Sequence, residues 1–206
     1  MRRHVIRTVL VGAATVAAVA LSTGQAQAVS TITITGAGGA ISGISTNAVF
    51  DDTTSGQSFA CTGLSFQGTL ANVTNAPLPY TANNAIMSWA ASGCSSAFGT
   101  LTVTVPASAL PDSFVFTAAG TTAPQGSGFL QTPAGVLFHF AVLTCSFNIG
   151  QINFTWTNGK TSQLRLNGTS LHPTGVSAGC FGLVSTTDLI MLNATFSVSP
   201  NTIKIT

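Results

Sequence analysis

The chain has 206 residues, of which 5% are charged, and its four acidic residues are all aspartates. Beyond residue 28 the only Lys and Arg are Lys160, Arg165 and Lys204, set against Asp51, Asp52, Asp112 and Asp188. Nucleic-acid binding needs clustered cations to displace counterions from phosphates, and three scattered ones exclude it.

Residues 1–28 read as an export signal. Arg2, Arg3 and Arg7 give a positive start, Thr8 to Leu21 is mostly apolar, and Ala26-Gln27-Ala28 is a small-x-small cleavage site. The expected mature chain, 29–206, is secreted into an extracellular setting where disulfides persist, with cell-wall association as a further expectation. No later segment approaches the roughly 18 unbroken apolar residues of a membrane helix, so no transmembrane span is expected in the mature chain.

From residue 29 the pattern is that of strands. Thr31-Ile32-Thr33-Ile34-Thr35 alternates with both isoleucines on one face. Gly36 to Gly43 is glycine-rich and predicts a loop. Asp51-Asp52, before Thr53-Thr54-Ser55-Gly56, look like turn formers, and neighbours on a strand point to opposite faces. Pro77 and Pro79 mark a loop, as do Pro106 and Pro111, with Asp112 a turn residue beside the latter. Leu101, Val103 and Val105 alternate with threonines, and Phe114 and Phe116 with Ser113, Val115 and Thr117. Ala118 to Pro133 has little periodicity and predicts a long connection between two halves, 29–117 and 134–206.

In the second half, Ile152, Phe154 and Trp156 alternate with Asn153 and Thr155. Asn158-Gly159 then gives a strong hairpin signal before Lys160 to Leu166. Asn167-Gly168 predicts a second tight turn. Phe196 and Val198, then Ile203 and Ile205, close the chain with further alternation. Many short antiparallel strands without helical stretches predict an all-β domain over 29–206, an antiparallel β-sandwich (immunoglobulin-like or related).

Cys61 and Cys145 lie on strands, while Cys94 and Cys180 each follow a glycine. Four cysteines allow three connectivities, and the preferred one is Cys61–Cys94 with Cys145–Cys180. Zinc is disfavoured by the absence of a Cys-x-x-Cys spacing and by the oxidising compartment.

Several segments resemble a group of uncharacterised small secreted actinobacterial proteins. They are Ile34-Thr35-Gly36, Gly38-Gly39-Ala40, Cys61, Ser92-Gly93-Cys94, Gly179-Cys180-Phe181-Gly182-Leu183 and Phe196 to Pro200. A Pro-Trp segment of that group is replaced here by Leu110-Pro111-Asp112-Ser113. The resemblance implies an exported all-β protein with paired cysteines, and it implies no reaction.

Catalytic machinery is not evident. No Gly-x-Ser-x-Gly elbow occurs in a strand-to-helix setting. His139 sits in a strand run between Phe138 and Phe140, and His172 precedes Pro173 in a loop. The expectation is a non-enzymatic secreted or cell-surface protein without metal or cofactor, whose candidate partners are the cell wall or a second copy. The alternative is a carrier or binding module for an apolar small molecule or wall glycan. Trp89 and Trp156 are its candidate ligand-wall residues, since aromatic walls are common in such sites.

Overall fold

The computed structural model describes residues 30–97, 99–105, 107–131, 136–139, 145–180 and 184–206. The export-signal expectation for residues 1–28 lies outside them. Among the described residues there are sixteen strands and two single-turn 3-10 helices, at Ala107–Ala109 and Ala178–Cys180. In chain order the strands begin with β1 (Thr31–Thr35), β2 (Gly39–Ser45), β3 (Ala48–Asp52), β4 (Gln57–Leu70), β5 (Val73–Pro77) and β6 (Tyr80–Ser96). The middle of the chain supplies β7 (Gly99–Thr104), β8 (Asp112–Ala119), β9 (Gly126–Gln131), β10 (Val136–His139) and β11 (Asn148–Ile149). The last are β12 (Ile152–Thr157), β13 (Ser162–Leu171), β14 (Pro173–Thr174), β15 (Ile190–Ser199) and β16 (Lys204–Ile205).

Eight strands close into a ring. β2 pairs with β4, β4 with β6, β6 with β8, β8 with β9, β9 with β12, β12 with β13, β13 with β15, and β15 returns to β2, every pair antiparallel. The expected two-sheet sandwich is therefore corrected to a barrel. The cause lies in β4 and β6, 14 and 17 residues long, which curl far enough to join what would otherwise be sheet edges.

The period-two alternation sorts inside from outside. Phe114, Phe116, Phe154, Trp156, Leu164 and Phe196 point inward and are buried. Burying each such side chain is worth about 1.5–3 kcal/mol. Thr117, Asn153, Gln163, Arg165 and Ser197 are exposed on the outer wall. An apolar interior within a polar wall is the reverse of a lipid-facing barrel.

Glycines within strands make room for interior side chains and for neighbouring backbone. A Cβ on Gly43 would strike the Phe66 ring, and one on Gly168 would strike Leu171. On Gly68 and Gly128 it would run into the backbone carbonyls of Ala85 and Val115. Such close approach marks the bends of a tightly coiled wall. Three predicted loops are corrected. Asn167-Gly168 is not a turn, because β13 runs straight through it opposite Asn193 and Leu192. The glycine-rich stretch after β1 is a turn only up to Gly38, and β2 begins at Gly39. The predicted connection over 118–133 is likewise, through residue 131, the end of β8, a short turn and the strand β9.

β2 and β3 form one interrupted strand. Both hold a single register against β4, with Ser45 opposite Leu64 and Ala48 opposite Cys61. Against β15, however, Ile44 lies opposite Ser197 and Ala48 opposite Ala194, so the β2–β3 side carries one extra residue. This is a β-bulge. The inward stripe changes parity across it, from Ile41 and Ser45 to Ala48, Phe50 and Asp52, and β4 changes alongside, from Phe59 and Cys61 to Leu64 and Phe66. Ser45 fixes the bulge by donating from its buried hydroxyl to the Asn47 carbonyl, at 3.0 Å.

Both preferred disulfides are present. Cys61–Cys94 joins directly opposed residues of β4 and β6 at this bend. Cys145–Cys180 staples two segments that already exchange backbone bonds, Ser177 N–H to Ser146 O at 2.9 Å among them. The C-terminal half of β6 pairs with β7 and continues through β10 and β11 to β14. At one end of the barrel, β16, β1 and β5 form a small sheet whose Ile32, Ile34 and Ile205 are buried. Asn158, beside the expected hairpin glycine, clamps this sheet. Its side-chain amide donates to Ile205 O at 2.7 Å and accepts from Ile205 N–H at 3.0 Å.

Two alanine substitutions test the role of the strand glycines, one within β9 and one between β11 and β12 as the control. Gly128→Ala should cost about 2–3 kcal/mol, because a backbone carbonyl blocks the methyl. Gly150→Ala, with open space around it, should stay within about 0.5 kcal/mol. Urea denaturation of both variants measures this, and equal effects would remove the packing explanation.

Candidate functional site

The most chemically distinctive interior feature lies where β6 leaves β8. Their pairing ends at Ile86 opposite Asp112, after β6 has inserted two extra residues relative to β8 between Ala82 and Ile86. Asn84, at φ 54°, takes up the bend. Beyond that point β6 diverges, and Trp89 fills the widening space.

Trp89 is half-buried. Its ring packs edge-on against Phe66 and Phe196, with centroids at 5.5 and 5.9 Å. Its indole N–H donates to Asp112 Oδ2 at 2.7 Å. Asp112 is completely buried, and its Oδ1 has no hydrogen-bond partner among the described residues. It was expected as a turn residue. It is instead the first residue of β8, on the same inward face as Phe114 and Phe116. Burial pushes its carboxyl up to about 6, and the Trp89 hydrogen bond only partly offsets that.

Beside Trp89 lies an apolar cavity of about 30 Å³, whose wall includes Leu64, Ala91, Val103, Val105 and Leu166. That is room for a body the size of one water molecule. Trp156, the other candidate ligand-wall residue, is fully buried in the core, opposite Gly126 of β9 and Leu164 of β13. The structure does not bring the two tryptophans to one site.

Of the remaining titratable groups, Asp52 and Asp188 lie together. Asp52 is buried, and its Oδ1 accepts the N–H groups of Thr54 and Ser55, while Asp51 lies on the opposite face. The expected turn role therefore holds for Asp52. Asp188, also nearly buried, is opposed by its own desolvation. Hydrogen bonds from the Ser185 hydroxyl and N–H, and one shared with the Asp52 carboxyl, outweigh that and hold it below the usual carboxylate range. His172 is exposed between β13 and β14. His139 is on β10 opposite Thr102, and its side chain lies outside the described residues. No group of three or more His, Cys, Asp or Glu that could hold a metal occurs among the described residues. No helix among them is long and apolar enough to cross a membrane.

The sequence reading missed the Asp112–Trp89 pair. The one available signal was an aspartate two residues before the inward Phe114, at the same parity.

No protein-family model matches the chain, and neither a curated protein nor a solved structure matches it.

Asp112 gives a pH test. Its folded pKa is raised, so its contribution to stability is fully present below about pH 4 and is lost as pH rises through about 6. The change should be on the order of 3 kcal/mol at most. Asp112→Asn keeps an acceptor for Trp89 and removes the titration. Relative to the parent, this variant should gain stability between pH 4 and pH 7. Urea denaturation across that range would show parallel profiles for the two proteins if Asp112 did not titrate there.

Proposed function

We propose that this chain is a non-enzymatic secreted or cell-surface β-barrel protein that works through its outer wall, as a structural or interaction module. The filled interior carries this reading. Pockets for drug-sized molecules occupy roughly 300–1,000 Å³, whereas the cavity beside Trp89 offers about 30 Å³. A polar wall with almost no charge supports close packing against a cell wall or a second copy, since repulsion is small. Asp52 and Asp188 lie together but are engaged by the turn groups of Thr54, Ser55 and Ser185, and His172 is exposed, which favours a role without acid–base catalysis. The paired cysteines are compatible with an extracellular location. They also fit the proposed kinship with small secreted actinobacterial proteins.

One observation favours a second reading, a carrier for an apolar small molecule. Trp89 borders an apolar cavity and is itself only partly covered.

Native mass spectrometry of protein recovered unreduced from culture medium separates the two. The outer-wall reading predicts the mass of residues 29–206 less four hydrogens, with no adduct. A small-molecule adduct that leaves on denaturation would overturn it in favour of the carrier.

A further inference from the structure

The β2–β3 bulge shapes the outer wall as well as the core. By changing the parity after the inward Ser45 it leaves Asn47, which unbroken alternation would have turned inward, exposed beside the neighbouring strand. There, Asn47 joins Val49, Arg165, Asn193, Ala194 and Thr195 around a shallow groove of about 190 Å³. The register explains the convergence. Arg165 of β13 lies opposite Thr195 of β15, and Asn193 of β15 lies opposite Val49 of β3. Four polar side chains from three neighbouring strand segments thus meet beside Val49 on the outer wall, while the Ala194 side chain faces the core.

Arg165 has no carboxylate partner among the described residues, which include all four aspartates of the chain. The nearest along this face, Asp51, is four positions from Asn47 on the far side of β15. That places it on the order of 15 Å from Arg165. The guanidinium is a planar fork that matches a carboxylate with two parallel hydrogen bonds. The Asn47 and Asn193 amides each offer donors and an acceptor, and the Thr195 hydroxyl offers both, which suits a ring bearing several hydroxyls. No aromatic residue lines the groove, and the space is well below that of a drug-sized pocket, so a single small ring fits its scale.

We infer that this groove binds a carboxylate-bearing sugar unit of an extracellular polysaccharide, with Arg165 holding the carboxylate and Asn47, Asn193 and Thr195 holding hydroxyls. The inference rests on the outer-wall reading above and names its partner class. An open, solvated site of this kind binds one unit weakly, at roughly millimolar Kd, and gains strength from repeated units on a wall.

The test is a titration of isotope-labelled protein with galacturonate oligomers, following the Arg165 Nε–H and the Asn47 and Asn193 side-chain amides by NMR. All three signals should shift together. Neutral glucose oligomers of equal length should bind at least about tenfold more weakly, as loss of a charge-assisted bond implies. Arg165→Gln should weaken binding by a similar factor. Asn193→Asp, which supplies an internal carboxylate next to Arg165, should abolish it. Both substitutions lie on the outer wall, and an unchanged melting temperature confirms that each variant is folded.

Three outcomes would overturn the groove: no shift up to the solubility limit, equal binding by neutral oligomers, or undiminished binding by Arg165→Gln. Inorganic phosphate that reproduces the Arg165 shift while both asparagine amides stay still would also overturn it, as simple anion binding. These failures leave the outer-wall reading standing, because that reading falls on an interior adduct in the mass spectrum.

Discussion

Everything in this structure depends on fitting large rings into a small closed barrel. Phe66, Trp89 and Phe196 meet in one cluster, and Phe114, Phe116 and Phe154 in another. Eight strands enclose limited space, and two of these rings lie against a residue without a side chain. Gly43 lies under Phe66, and Gly126 lies against Phe116 and Ile205, where a Cβ would sit at 3.4 and 3.2 Å. Some of the glycines that make the sequence look rich in loops thus lie against its aromatics, and others, Gly68 and Gly128, let two strand backbones come close.

Closure also forces the wall to bend, and the bends create the two chemically interesting places. Where β6 folds away from β8, a carboxyl is sealed inside and tied to Trp89. Where β2 passes into β3, the extra residue changes the parity after an inward serine and leaves an asparagine outside. Irregularities of this sort re-aim side chains, which regular alternation cannot do. The disulfide Cys61–Cys94 spans the same line of bending, so the covalent link falls where the hydrogen-bonded ladder changes parity.

Much of this was legible in the chain. Alternation located the inward faces at Phe114 and Phe116, at Ile152, Phe154 and Trp156, and at Ile203 and Ile205, because a strand's period is a local property. The hairpin at Asn158-Gly159 and the preferred cysteine pairing were also readable from short-range signals. Closure was not. A glycine that makes a turn and a glycine that lies beneath a ring are the same letter, so Asn167-Gly168 resembled a turn although it lies mid-strand. The partner that distinguishes the two, Leu171 for Gly168 or Phe66 for Gly43, is fixed only by the folded geometry. Asp112 was obscure for a similar reason. A Pro-Asp pair signals a turn locally, and its burial is decided by where β6 diverges.

The central claim is that the ring is closed, with β2 joining β15 on one side and β4 on the other. Backbone NOE spectroscopy tests it directly. A closed barrel predicts cross-strand contacts between Gly43 and Val198 together with contacts between Gly43 and Phe66 in the same molecule. Contacts from Gly43 to β4 alone, with β15 amides exchanging freely on that side, would contradict closure and restore a two-sheet sandwich.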